Sequence, residues 1–175
     1  MTKIGITGGI GSGKSYVCEK FRQQGYPVYD CDKEAKRLMV TDRIIISEIK
    51  KLVGEEAYLP NGTLNVPLLA QFLFQSPQNH ARLNLIVHPA VKEDFLKWAD
   101  QQTSEKVFLE SAILIESGFR DVVDLVGFVS APLETRIQRI MRRDNTTREH
   151  ALQWISKQMP DEEKRKYADF VIENG

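Results

Sequence analysis

The sequence predicts an α/β fold, a three-layer sandwich built on a five-stranded parallel sheet with two helical insertions. Three observations carry that expectation. Short apolar runs at Ile4–Thr7, Pro27–Tyr29, Val107–Leu109, Leu125–Val129 and Asp169–Ile172 have the length of buried strands. Segments with helical periodicity separate them, as parallel pairing requires. The first run leads straight into Gly8-Gly9-Ile10-Gly11-Ser12-Gly13-Lys14-Ser15, followed by a helix-like stretch over Tyr16–Phe21.

That glycine-rich segment matches GxxxxGK[ST] in full, in the strand–loop–helix setting the pattern needs. Glycines let successive backbone N–H groups turn toward a polyphosphate, and the helix N-terminus adds positive potential. Lys14 is placed for the outer phosphates, and the Ser15 hydroxyl for Mg²⁺. The prediction is a nucleoside triphosphate ligand, ATP or GTP, on a P-loop NTPase-type fold.

The elements follow in order. The first helix should end near Gly25, a C-cap residue, before the chain re-enters the sheet at Tyr26. From Asp32 to Glu105 only helical periodicity is visible. Ile44, Ile45, Ile49 and Leu52 precede Gly54, and Asn61-Gly62 marks a turn. Pro67 is read as starting a helix carrying Leu68, Leu69, Phe72 and Leu73. Pro89 is read as starting another, with Val91, Phe95, Leu96 and Trp98. A further helical stretch over 133–158 should break near Asn145, since Thr146 and Glu149 have capping-box spacing. The expected domains are a nucleotide-binding core (1–35, 105–135 and 166–175), a helical acceptor-binding insertion (36–104) and a helical lid (136–165).

Composition narrows the class. The 175 residues suffice for one well-buried core, and 24 basic residues balance 24 acidic ones. No global field therefore favours nucleic acid or an anionic membrane. No apolar stretch reaches the roughly 20 residues of a membrane span, and the immediate entry into a strand predicts no signal peptide. Cys18 and Cys31 have no metal-type spacing, so reduced thiols in a cytoplasmic protein are expected. Cys31, between two carboxylates, is expected to be open to alkylation.

Asp30-Cys31-Asp32 follows the second strand, at the sheet edge where open α/β proteins bind ligands. Either carboxylate can accept a proton from an acceptor hydroxyl or hold Mg²⁺ through water, or cap the next helix; spacing does not choose between them. Arg136, Arg139 and Arg143 fall within an arc of about 60° on a helical wheel, with Arg142 outside it. Arginines so arranged suit a lid that stabilises charge on a transferring phosphoryl group. Glu110 closes the third strand, where it can serve Mg²⁺ or act as a cap. His88, beside Pro89, has the pattern of a structural histidine when taken alone.

Taken in order, these motifs resemble the dephospho-CoA kinase family along nearly the whole chain. Asp30-Cys31-Asp32 is similar to its Asp-Ala-Asp motif, which implies Asp32 as the base. His88-Pro89 is similar to its His-Pro step, and Ala112-Ile113-Leu114-Ile115-Glu116 to its Pro-Leu-Leu-Phe-Glu segment. Gln138-Arg139 through Glu149 resembles its lid, and Ala168–Gly175 its last strand and turn. The resemblance implies transfer of the γ-phosphoryl of ATP to the ribose 3′-hydroxyl of dephospho-CoA, with Mg²⁺. Asp32, Lys14 and Arg139 would be catalytic. Gly9, Gly11, Ser12, Gly13, Lys14, Ser15, Tyr16 and Arg143 would bind ATP, and Thr7, His88, Leu114 and Glu116 the acceptor. Ser15 and Glu110 would face the metal. The partners expected are these two small molecules, with neither nucleic acid nor membrane, and the protein a monomer or small homo-oligomer. The rivals are another small-molecule kinase, for a nucleotide or sugar-acid acceptor, and a nucleotide-dependent switch. Against the switch, Asn-Lys-x-Asp is absent and the Asp-x-x-Gly at Asp124–Gly127 runs into an apolar strand.

Overall fold

Apolar β-branched runs pair into one sheet in the computed structural model, which describes residues 1–175. Strands β1 (Thr2–Thr7), β2 (Val28–Asp30), β3 (Lys106–Glu110), β4 (Leu125–Ser130) and β5 (Phe170–Glu173) are all parallel, in the order β2-β3-β1-β4-β5. Eight helices accompany them: α1 (Lys14–Gln23), α2 (Cys31–Thr41), α3 (Arg43–Val53), α4 (Val66–Gln75), α5 (Pro77–Asp100), α6 (Leu133–Asp144), α7 (Arg148–Ser156) and α8 (Asp161–Lys166). None is long and apolar enough to cross a membrane.

The chain divides into two units, Met1–Asp30 with Trp98–Gly175, and Cys31–Lys97. In the first, alternation along β1 separates two faces. Ile4 and Ile6 join Val17 and Cys18 of α1, Phe108 and Val129 in one cluster. Phe21 stacks on Phe108 with ring centroids 4.0 Å apart. On the other face, a Cβ at Gly5 would meet a Leu114 methyl at 2.4 Å, so a side chain there would have to displace Leu114. Burial pushes the Cys18 thiol up to about 12, with the Glu110 carboxylate adding to the effect. Cys31, expected to be reactive, is buried as well, which withdraws it from alkylating reagents.

The second unit is helical. Asp42 caps α3 by accepting from the Ile44 and Ile45 amides, and Asn65 caps α4. A bridge between Tyr58 and Leu64 closes the turn carrying Asn61-Gly62, and Tyr58 donates its hydroxyl to Met39 O at 2.6 Å. Pro67 lies in the first turn of α4, as its fixed φ allows.

Two expectations fail here. Pro89 does not begin a helix; it lies inside the 24-residue α5. A proline there forfeits a hydrogen bond at a cost of about 3 kcal/mol. Val87, Val91 and Phe95 form a buried stripe at i, i+4 and i+8 that runs through Pro89, and their packing outweighs that penalty. The break at Asn145 is present, with φ 48°. The cap of α7, however, is Thr147, which accepts from the His150 amide at 3.2 Å; Thr146 instead meets the His150 ring. The helix begins one residue later than the capping-box spacing implied, so Glu149 falls outside the box.

Candidate nucleotide and acceptor site

β1 delivers the chain into the glycine loop, and α1 starts at Lys14. Gly11 and Gly13 have φ of 81° and 85°, which only glycine adopts without strain. Space is equally restrictive. A Cβ at Gly9 would lie 2.1 Å from Arg136 Nη2, and one at Gly13 would lie 2.1 Å from Asn174 Nδ2.

Those two neighbours belong to a belt that holds the loop's carbonyls. Arg136 Nε donates to Ile10 O at 3.0 Å. Arg139 Nη1 donates to Gly11 O and Ser12 O at 3.3 and 3.1 Å, and its Nη2 to Asn174 O at 2.7 Å. Asn174 Nδ2 donates to Ser12 O at 3.0 Å and, at a longer 3.5 Å, to Gly13 O. Gln158 Oε1 accepts the Ile10 amide at 2.8 Å. Carbonyls engaged by these donors fix the peptide planes, and the first-turn amides of α1 have no acceptor within the helix. Ser12 Oγ is buried with no hydrogen-bond partner, an unmet demand of the kind that a ligand oxygen could meet.

Ser15 Oγ donates to Glu110 Oε1 at 2.7 Å. Register explains the meeting: Glu110 is the last residue of β3, paired beside Ile6 of β1. The two supply hard oxygen donors of the kind Mg²⁺ takes. Tyr16 is exposed, with Lys20 Nζ 4.6 Å from its ring centre.

The arginine arc does not form a common exposed edge. Arg136 is 5 % exposed and pairs with Asp161 at 2.9 Å, while Arg139 is committed to backbone carbonyls. Arg143 alone of the three lies on the surface, paired with Asp144. A helical wheel shows direction but not what stands opposite, and here the loop backbone and Asp161 stand opposite Arg136.

Thr7 and Leu114, expected to touch the acceptor, have no exposed surface. Thr7 Oγ1 donates weakly to Ala112 O at 3.4 Å, and Leu114 fills the space over Gly5. Both shape the turn after β3 rather than present a side chain to a ligand. Glu116 in that turn keeps 24 % of its side chain exposed and lies 3.4 Å from Lys164 Nζ. In the helical unit, Asp32 is exposed in the first turn of α2. His88 is half-buried in α5; burial, and then the Lys92 charge, hold its imidazole below the usual histidine range.

No sequence pattern assigns a role to Gln158, Asp161 or Lys164, or to Asn174 beyond its place in the last strand and turn. Only the polar Asn174-Gly175 step after the last strand offered any signal.

A parallel sheet in this order, with a glycine loop at the end of β1 and a lysine and serine opening α1, defines a phosphate-loop nucleotide-binding protein. Comparison with known proteins narrows the class. The family model for dephospho-CoA kinase matches residues 2–175. A dephospho-CoA kinase of Bacteroides fragilis is 50 % identical over 173 residues, covering 98 % of this chain and 84 % of that protein. A crystal structure from Thermus thermophilus superposes with a TM-score of 0.86 at 38 % identity, covering 99 % of this chain and 88 % of the other. Dephospho-CoA kinase from Campylobacter jejuni shares the fold, with a TM-score of 0.71 at 24 % identity over 98 % and 87 % of the two chains. The chain belongs to the dephospho-CoA kinase family, ATP-dependent kinases that transfer phosphate to a hydroxyl.

Proposed function

We propose that the protein transfers the γ-phosphoryl of Mg-ATP to the ribose 3′-hydroxyl of dephospho-CoA, giving CoA and ADP. The observation that carries this reading is the family match over residues 2–175, joined to a phosphate loop whose Ser15 already contacts Glu110.

The loop amides and Lys14 hold the polyphosphate, with the Ser12 hydroxyl taking one of its oxygens and Tyr16 bordering the nucleotide. Ser15 and Glu110 are the residues that fit magnesium, which neutralises charge on the outer phosphates when bound. The acceptor oxygen bonds to the γ-phosphorus as the bridging bond to the β-phosphate breaks, and Asp32 takes the hydroxyl proton. In a loose transition state, positioning by Asp32 contributes more than its basicity. Arg139 adds positive potential from its fixed place on the loop, and Arg143 supplies a surface cation for the transferring group. Residues 36–104, with His88, form the acceptor-binding part, residues 136–165 the lid, and Glu116 contacts the acceptor over the turn that Thr7 and Leu114 support. We place the protein in the cytoplasm as a monomer or small homo-oligomer, acting on these two small molecules without nucleic acid or membrane.

The test is ADP release from Mg-ATP with and without dephospho-CoA, followed by mass analysis of the acceptor. Release that requires the acceptor, an acceptor heavier by one phosphate, and loss of both in Lys14→Ala are expected. Tight ATP binding with no acceptor-dependent release would sink the assignment of the acceptor.

A further inference from the structure

Lys164 is a lysine with no exposed surface, on a six-residue helix whose flanking Arg165 and Lys166 are exposed. Burying an ammonium is costly unless its donors are met, and an apolar side chain of similar size fills such a place as well. The groups that meet it therefore indicate what it does. Lys164 Nζ donates to Ala112 O at 2.9 Å and lies 3.4 Å from Glu116 Oε2. Both belong to the turn between β3 and β4, and Ala112 O is the carbonyl that Thr7 also reaches.

The same stretch of chain also grips the phosphate loop. Gln158 takes the Ile10 amide, and Asp161 pairs with the Arg136 that holds Ile10 O. Side chains at 158, 161 and 164 thus run from the tip of the phosphate loop to the carboxylate of Glu116. We infer that Lys164 is a positioning residue for the acceptor. It fixes the Glu116 carboxylate, and through α8 it ties that carboxylate to the loop that carries the nucleotide. The inference rests on the proposed reading of Glu116 as an acceptor contact. Burial draws Lys164 below the usual lysine range, and the Glu116 and Asp161 charges oppose that shift. Lys164 does not touch substrate; it acts through Glu116.

Steady-state kinetics of the full chain test this with Lys164→Met, Lys164→Gln, Glu116→Gln and the double variant Lys164→Met/Glu116→Gln. Met removes both contacts, whereas Gln keeps a donor and removes the charge facing Glu116. Lys164→Met is expected to raise KM for dephospho-CoA about tenfold, the scale of losing a charged hydrogen bond. KM for ATP should stay within about twofold and the melting temperature within a few degrees of wild type, since the loop contacts of Gln158 and Arg136 remain. Glu116→Gln should match it, and the double variant should be no worse than the weaker single one, because the two residues act in series. An unchanged acceptor KM, equal losses for both substrates, or additive losses would overturn the inference. If Lys164→Met does not fold, Lys164→Gln decides by the same readout, and a wild-type acceptor KM there overturns it. A wild-type protein that fails to phosphorylate dephospho-CoA would instead remove the reading on which Glu116 depends.

Discussion

Ser15 Oγ and Glu110 Oε1 stand 2.7 Å apart although 95 residues separate them in the chain. Parallel pairing of β3 with β1 brings the end of one strand beside the loop that leaves the other. Glu110→Gln keeps an acceptor for the Ser15 hydroxyl but removes the charge. Activity should fall about 10- to 100-fold, the usual cost of removing a group that supports a metal. Part of it should return at high magnesium. A magnesium titration of initial rates checks this, and an unchanged magnesium midpoint would take Glu110 out of the metal's surroundings.

Asp32 lies in the first turn of α2, two residues beyond the end of β2. Asp32→Asn should abolish turnover while leaving ATP affinity within about twofold, because the phosphate contacts are untouched. Calorimetric ATP binding beside a rate assay separates the two. Retained turnover would remove Asp32 from the base role.

Gly13 answers to two constraints at once. Its φ of 85° strains any side chain, and a Cβ would lie 2.1 Å from Asn174 Nδ2. Gly13→Ala should lose about 1–2 kcal/mol of stability from the backbone alone. It should also weaken nucleotide binding, because relief requires Asn174 to leave Ser12 O. Chemical denaturation and ADP titration would show both losses together.

Arg136→Leu leaves Asp161 without its partner and Ile10 O without its donor. Breaking a buried pair costs about 3–5 kcal/mol. With Asp161 still 29 % exposed, about 2 kcal/mol is expected here. The effect should appear in urea unfolding without substrates, which separates it from a role in the chemistry.

His88 has its imidazole held below the usual 6.5 by burial and by Lys92. The unfolded chain therefore takes up a proton at a higher pH than the folded protein. Stability rises with pH across the window below 6.5 and is lost as pH falls through that window. His88→Gln should flatten this slope in urea unfolding measured from pH 7 down to about 5. An unchanged slope would mean that His88 titrates alike in both states.

Much of the site was legible because its key segment is contiguous. Eight adjacent residues specify the phosphate loop, and each needs only its own backbone freedom or side-chain chemistry. The strands were equally plain, since a strand buried on both faces must be an unbroken apolar run. Pro89 is misleading in the sequence because a local breaker signal says nothing of the Val87–Val91–Phe95 stripe that overrides it.

The parallel α/β fold, the phosphate loop with Lys14 and Ser15, and the order of motifs that marks the family are all written in the chain's local patterns. Local geometry and covalent spacing suffice for those. Which distant side chains meet is settled by folding in three dimensions. It set Glu110 on Ser15, Arg136 and Asn174 on the loop carbonyls, and Lys164 on Ala112 and Glu116. Such contacts join residues far apart in the chain, Ser12 and Asn174 by 162 positions. They depend on strand order and on helix packing across the sheet, which no local pattern encodes.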